Sequence, residues 1–290
     1  MKALWLVSFR PIGKSKINDF FQSIFVDSIK SLDADITFSL TQFDEDNVEA
    51  FVEEKRIKSI YKNIPKKKLP EGKKYSNKMM LDNALDQYIE NADFDYLIYS
   101  TADIIVPNNL FKSLTHIKLE NFCALIYPNV HVINGSIKNT FWPHYGIDLI
   151  VFKISKEKAI RFKEIIKSYN QYDWGINENF YIAAGELLGL KNINLYKKTK
   201  VIKFDNDFEA FVEDRSWQEK SWKENQNHLV KFLSENKLSK LYAYGSYYYL
   251  LLKIFNFKYI NFSLFLTYII FYPYYISLKL CRLITKFIKK

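Results

Sequence analysis

Asp95-Tyr96-Leu97-Ile98-Tyr99-Ser100-Thr101-Ala102-Asp103-Ile104-Ile105-Val106-Pro107 is the stretch from which the fold is read. Residues 96–99 form a short apolar run bounded by polar residues, the pattern of a strand buried on both faces. Asp103 follows it closely. A carboxylate in that place must face a cavity, a helix end or a cation, because an ion buried without one is costly. Capping a helix that starts near Asn109, six positions on, is disfavoured by that distance and by Pro107.

The same kind of element recurs outward from this strand. Upstream, residues 4–8 are an apolar run ended by Arg10-Pro11-Ile12-Gly13, a loop signal. Residues 18–32 carry Phe20, Phe21, Ile24, Phe25, Ile29 and Leu32 at helical spacing, and 34–40 read as a strand stopping at Thr41-Gln42-Phe43-Asp44. A short helix over 48–54, a strand over 57–61 and a basic loop over 66–74 follow, and Ser76 can cap the helix that precedes the strand at 96. Downstream the pattern predicts a helix over 109–115, strands at 123–127 and 149–153, and helices at 156–169 and 180–188. A strand over 200–203 and helical sequence within 208–240 complete it. Alternation of strand and helix predicts an α/β domain with a largely parallel sheet. Ligands of such sheets collect at the carboxyl ends of the strands, here marked by Ser8 and Arg10, Thr41 and Asp44, and Thr101 and Asp103.

Charge divides the chain. No acidic residue follows Glu235, whereas nine lysines and arginines do; subtracting these from the total of +10 leaves +1 for residues 1–235. A nearly neutral domain over 1–240 is therefore expected, followed by a basic, aromatic segment over 241–290. A nucleic-acid partner is not expected, since such binders carry their charge on the folded domain. The bias suits an anionic membrane surface. Cys123 and Cys281 are two isolated cysteines, suggesting neither a disulfide framework nor a zinc site. The first ten residues have too short an apolar run for a signal peptide and read as a buried strand.

The order of elements over roughly residues 1–230, with the strand leading into Thr101-Ala102-Asp103, resembles the GT-A glycosyltransferases. The resemblance implies a Rossmann-like, mostly parallel sheet flanked by helices, and a hexosyltransferase-class enzyme using a nucleotide-sugar donor. In that family an Asp-x-Asp motif holds a divalent metal, Mn²⁺ or Mg²⁺, on the donor diphosphate. Asp103 matches its second position, and Thr101 stands at the first. A metal here would rest on one carboxylate and a hydroxyl and keep several waters. Lys73-Lys74-Tyr75-Ser76-Asn77-Lys78 matches the helix that runs under the nucleotide, with Asn77 and Lys78 as diphosphate contacts at a helix N-terminus. Asp173-Trp174-Gly175-Ile176-Asn177-Glu178 stands where inverting members carry the base that deprotonates the acceptor. Glu178 or Asp173 is that base, and Trp174 is a candidate sugar platform. His144 and Tyr145, near Asp148, fall where the family builds its acceptor pocket, and Phe204-Asp205-Asn206-Asp207 is a later candidate contact. Asp93-Phe94-Asp95 has Asp-x-Asp spacing but precedes the strand, and reads as a solvated turn.

The C-terminal segment contains 20 uncharged residues, 259–278, long enough to span a bilayer. Five tyrosines and Pro273 lie among them, and lysines flank both ends, which favours a surface-lying or re-entrant segment over a simple span. Residues 277–290 set Leu278, Leu283, Ile284 and Phe287 against Lys279, Arg282, Lys286 and Lys289, the pattern of an interfacial amphipathic helix. The expectation is a peripheral or monotopic enzyme on the cytoplasmic membrane face, acting on a glycan acceptor that is lipid-linked. Two alternatives stand beside it. A membrane-docked, non-catalytic adaptor accounts for Thr101. A sugar-phosphate nucleotidyltransferase shares the topology but needs a glycine-rich loop after the first strand, where this chain has only Gly13.

Overall fold

The computed structural model describes residues 1–43, 46–64, 77–91, 93–126, 128–133, 136–139, 147–169, 177–195, 198–205, 215–238 and 243. In chain order the elements are β1 (Lys2–Val7), α1 (Lys16–Lys30), β2 (Asp35–Phe43), α2 (Val48–Glu54), β3 (Ser59–Ile64) and α3 (Asn77–Glu90). Next come β4 (Tyr96–Ser100), β5 (Ile104–Ile105), α4 (Leu110–Thr115), β6 (Phe122–Ile126), β7 (Pro128–Ile133) and β8 (Ser136–Asn139). The last are β9 (Leu149–Lys153), α5 (Lys156–Lys167), α6 (Asn177–Leu187), β10 (Lys191–Asn194), β11 (Val201–Asp205) and α7 (Arg215–Glu235).

β1 is apolar from Ala3 to Val7 and buried throughout, as a strand covered on both faces must be. It pairs in parallel with β2 on one side and β4 on the other. The main sheet has the order β10-β6-β9-β4-β1-β2-β3. β9 lies antiparallel to both β4 and β6, and the remaining pairs are parallel. Strand alternation divides the core between two layers. Ala3, Trp5, Val7, Phe38, Leu40 and Ile98 pack with Phe25, Val26 and Ile29 of α1. The opposite parity meets α3, α5 and α6, where Tyr99 and Phe152 pack edge-on against Tyr181, and Phe152 against Phe162.

Two buried polar groups of these layers pair across elements. Trp5 Nε1 donates to Ser100 Oγ (2.8 Å) within the core, tying β1 to the end of β4. Tyr88 on α3 donates to Ile154 O (3.0 Å). Burial, with a smaller contribution from the Asp95 charge, pushes that phenol up to about 12. Asp93 and Asp95 lie at the surface beside Lys2, whose ammonium meets Asp93 Oδ2 at 3.2 Å and whose N–H donates to Asp95 Oδ2 at 2.8 Å.

A second sheet, in the order β5-β11-β7-β8, grows from the residues after Asp103. β11 pairs antiparallel with β5 and parallel with β7. Stacking of Phe21 on Phe204, with centroids 4.2 Å apart, joins this sheet to α1. At the other end, Phe232 of α7 packs on Tyr169 and Phe180, which stack on each other at 4.0 Å.

Most expected elements are present, with shifted ends. β2 runs on to Phe43, past the stop expected at Thr41, and β5, β7, β8 and β10 are strands that sequence pattern did not indicate. The loop at 66–74 and the segment after residue 243 lie outside the described residues, and so does the boundary expected at 240. Among the described residues no helix is long and apolar enough to cross a membrane.

Candidate functional site

From β1 the chain winds outward through β2 and β3, then returns to place β4 on the other flank of β1. The carboxyl ends of β1 and β4 therefore border the point where strand order reverses, where open α/β sheets leave a crevice. Arg10 leaves the end of β1, and Thr101 and Asp103 leave the end of β4. Arg10 Nη2 lies 3.7 Å from Asp103 Oδ2.

The loop after β1 is fixed by the start of α1. Gln22, buried on that helix, accepts from Arg10 N (2.5 Å) and donates to Arg10 O (3.4 Å). Asn18 Oδ1 accepts from Arg10 Nη1 at 2.9 Å, and Ser15 caps the helix by accepting from Asn18 N. Gly13 takes φ +80°, open to glycine without strain, and its N–H donates to Asp19 Oδ2 (3.0 Å). Phe9 is sunk against Phe25 and Phe51, so Ser8 and Arg10 flank an anchored ring. The backbone and the guanidinium of Arg10 are thus both held before any ligand arrives.

Two further strands complete the cluster. β11 lies antiparallel to β5 with Lys203 opposite Ile104, and Phe204 N donates to Asp103 O (2.9 Å). That pairing sets Lys203 Nζ 3.5 Å from Asp103 Oδ1. Asp148 immediately precedes β9, and Thr101 N donates to Asp148 O (3.1 Å) in continuation of the β4–β9 ladder. Lys203 Nζ donates to Asp148 Oδ1 at 2.5 Å, and Thr101 Oγ1 donates to the same oxygen at 3.4 Å. Two cations and two carboxylates therefore form one network, with formal charges that cancel.

The network is graded in depth. Side-chain exposure falls from 33% at Arg10 and 21% at Asp103 to 11% at Lys203 and 5% at Asp148. The deep pair is a buried charge held by its counter-ion. The outer guanidinium, kept in place by Asn18 and Asp103, is the kind of planar donor that engages phosphate oxygens. On the strand next to β1, Thr41 lies within β2, buried, and accepts from Asn83 Nδ2 (2.7 Å). Lys62 Nζ in turn donates to Asn83 Oδ1 (3.3 Å).

These residues do not fit a divalent metal. Asp103, the expected ligand, already faces the cations of Arg10 and Lys203, and Asp148 is engaged by Lys203. A dication 4 Å from the lysine ammonium would meet a gross repulsion of roughly 8 kcal/mol at an effective dielectric constant of about 20. Among the described residues no three His, Cys, Asp or Glu side chains come together as a metal-ligand set.

Of the residues singled out from sequence, Arg10 and Asp103 meet directly and Thr101 joins them through Asp148 and Lys203; Ser8 follows β1 and Thr41 lies on the neighbouring strand. Asn77 and Lys78 open α3 and Glu178 lies in the first turn of α6, with side chains outside the described set. Asp44, His144, Tyr145, Asp173 and Trp174 also fall outside the described residues. Lys203 was not anticipated, and Asp148 only as a neighbour of His144. Both carried a signal. Lys203 shares strand parity with buried Val201, and a charge on an inward face needs a counter-ion. Asp148 adjoins an apolar strand just as Asp103 does.

No protein-family model matches the sequence, and no curated protein matches it either. By fold the chain is similar to residues 1–349 of TarS from S. aureus in complex with UDP-GlcNAc, with a TM-score of 0.52 at 10% identity, covering 84% of this chain and 69% of that one. Other similar structures are the inositol-1-phosphate CTP transferase of T. maritima (TM-score 0.41, 11% identity, 76% and 96% covered) and the galactosyltransferase LgtC with donor and acceptor sugar analogs (0.36, 9%, 67% and 74%). The described residues have the GT-A-type fold: a mostly parallel, Rossmann-like sheet flanked by helices.

Proposed function

We propose that this chain is a glycosyltransferase that moves a sugar from a nucleotide-sugar donor to a glycan acceptor. The observation that supports it most is the Arg10–Asp103 pair at the switch point of a GT-A-type sheet, backed by Lys203 and Asp148. In this reading the donor lies across the ends of β1, β2 and β4. Arg10 engages the diphosphate, and the hydroxyls of Ser8 and Thr41, with Asp44, line the nucleoside side. Asn77 and Lys78 meet the phosphates at the start of α3. As the acceptor hydroxyl attacks the anomeric carbon, Glu178 or Asp173 takes its proton and the nucleoside diphosphate departs. Arg10 and Lys203, cations fixed before the reaction, stabilise the charge that accumulates on the leaving group. His144, Tyr145 and Trp174 border the acceptor.

The C-terminal segment adds a location to this reading. Its seven cations and absence of acidic residues suit docking on an anionic, cytoplasmic membrane face. The acceptor is then lipid-linked and shares that surface.

Thermal shift against UDP, GDP, CMP and dTDP tests the donor site. One nucleotide at about 100 times its dissociation constant should add roughly 2.7 kcal/mol of stability. Arg10→Gln should abolish most of that gain. If none of the four raises the midpoint, the donor-site reading fails.

A further inference from the structure

The resemblance to metal-dependent transferases places a dication beside Asp103, yet a lysine stands there. Lys203 Nζ is 2.5 Å from Asp148 Oδ1 and 3.5 Å from Asp103 Oδ1, bridging two carboxylates contributed by different strands. Its depth matters. A flexible surface lysine swings aside for an ion, whereas this one rises from β11 and is almost wholly enclosed. Its strand is locked by the backbone bond from Phe204 N to Asp103 O. Thr101, at the position where the family has its other carboxylate, turns its hydroxyl to Asp148 Oδ1. Each feature departs from a metal site in the same direction: a hydroxyl stands at one carboxylate position of the motif, and a fixed ammonium lies between Asp103 and Asp148.

We infer that the Lys203 ammonium occupies the place of a divalent cation between Asp103 and Asp148, and that with Arg10 it gives this site its positive charge toward a diphosphate without a metal. The first half rests on the network alone, and the second half rests on the donor-site reading above. Asp103 serves here as a positioning residue, since it faces both cations and orients them. Arg10, at the open end, is then the group that touches the phosphate, and Lys203 contributes from behind through its charge.

Removing the ammonium should uncover the site it fills. In an Mn²⁺ titration followed by electron paramagnetic resonance, the full-length wild type should leave the free-ion signal unchanged. Lys203→Ala should bind one Mn²⁺ through Asp103 and Asp148, and Lys203→Ala/Asp148→Asn should lose it. The inference is overturned if the wild type binds one Mn²⁺ that Asp103→Asn removes, or if a Lys203→Ala protein with a native circular dichroism spectrum takes up none. Should Lys203→Ala fail to fold, the comparison of wild type with Asp103→Asn still decides. A second arm measures the affinity for UDP, GDP, CMP and dTDP in EDTA. The wild type should bind its nucleotide equally well with EDTA or Mn²⁺, and Lys203→Ala should bind it about tenfold more weakly in EDTA. Mn²⁺ should restore the variant. Wild-type binding that vanishes in EDTA overturns the inference. Absence of nucleotide binding under every condition defeats the donor-site reading, and the Mn²⁺ titration then decides the first half by itself.

Discussion

Replacing Lys203 by Met removes the deepest cation of the site while keeping its hydrocarbon stem. At 2.5 Å from Asp148 Oδ1, the gross attraction is about 7 kcal/mol at an effective dielectric constant of about 20. Desolvation of each ion offsets several kcal/mol of this, so the net value of the pair is small, and the cost of breaking it is not. Lys203→Met leaves Asp148 buried without this counter-ion, which should destabilise the fold by about 3–5 kcal/mol. Asp148→Asn should cost less, because Lys203 retains Asp103. The double variant Lys203→Met/Asp148→Asn should recover about 1–3 kcal/mol relative to the sum of the single changes. Urea unfolding followed by circular dichroism supplies the three differences, and calorimetry checks them: a loss of 3–5 kcal/mol corresponds to a drop of roughly 6–20 °C in Tm for a domain of this size. If the two substitutions are additive within about 0.5 kcal/mol, the residues do not form the coupled pair described here.

Two further outcomes are expected. The Tyr88 phenol, pushed up to about 12 by burial, is protonated in the folded chain when its unfolded counterpart, near 10, has already ionised. Its contribution of about 2–3 kcal/mol is fully present below pH 10 and lost as pH rises toward 12. Tyr88→Phe should therefore flatten the alkaline fall in urea stability between pH 9 and pH 11.5, and a variant whose fall is as steep as the wild type's would contradict the assignment. In a vesicle co-sedimentation assay, neutralising Lys286, Lys289 and Lys290 to Gln should weaken binding to vesicles rich in phosphatidylserine by about 1 kcal/mol per charge. Binding that is indifferent to these charges and to salt would remove the membrane-docking proposal.

How far the sequence could be read depended on how local the stabilising contacts are. β1 and β4 were legible because strands covered on both faces are continuously apolar, and α1 and α5 because their apolar residues repeat at helical spacing. The end of β2 was misplaced for a physical reason. Thr41 and Gln42 look like a loop, but Asn83 satisfies the first, and the amide of Gln42, oriented with its nitrogen toward Phe9 O and its oxygen toward Phe9 N, meets both at 3.1 Å. β10, Lys-Asn-Ile-Asn, has little strand propensity and exists through its parallel pairing with β6. β5 is two residues long and is held by β11 from about a hundred positions away. The site divides in the same way. Asp103 was legible as a carboxylate needing a cation, but the identity of that cation depended on β11 meeting β5. The meeting of Lys203 with Asp148 across 55 residues is a product of topology that no local pattern encodes.

The central place of β1 has a bearing on how the chain is made. Ala3 pairs with Ile36 on one edge and with Tyr96 on the other. At ribosomal rates of about 5–20 residues per second, the second partner emerges roughly 5–20 s after β1 itself. During that interval β1, β2 and β3 can assemble with α1, while β1, apolar from Ala3 to Val7, presents an unpaired edge, the geometry that invites strand addition by another chain. Pairing of that edge by β4 also brings Asp103 to Arg10, so the step that covers β1 is the step that first joins the two outer charges of the site.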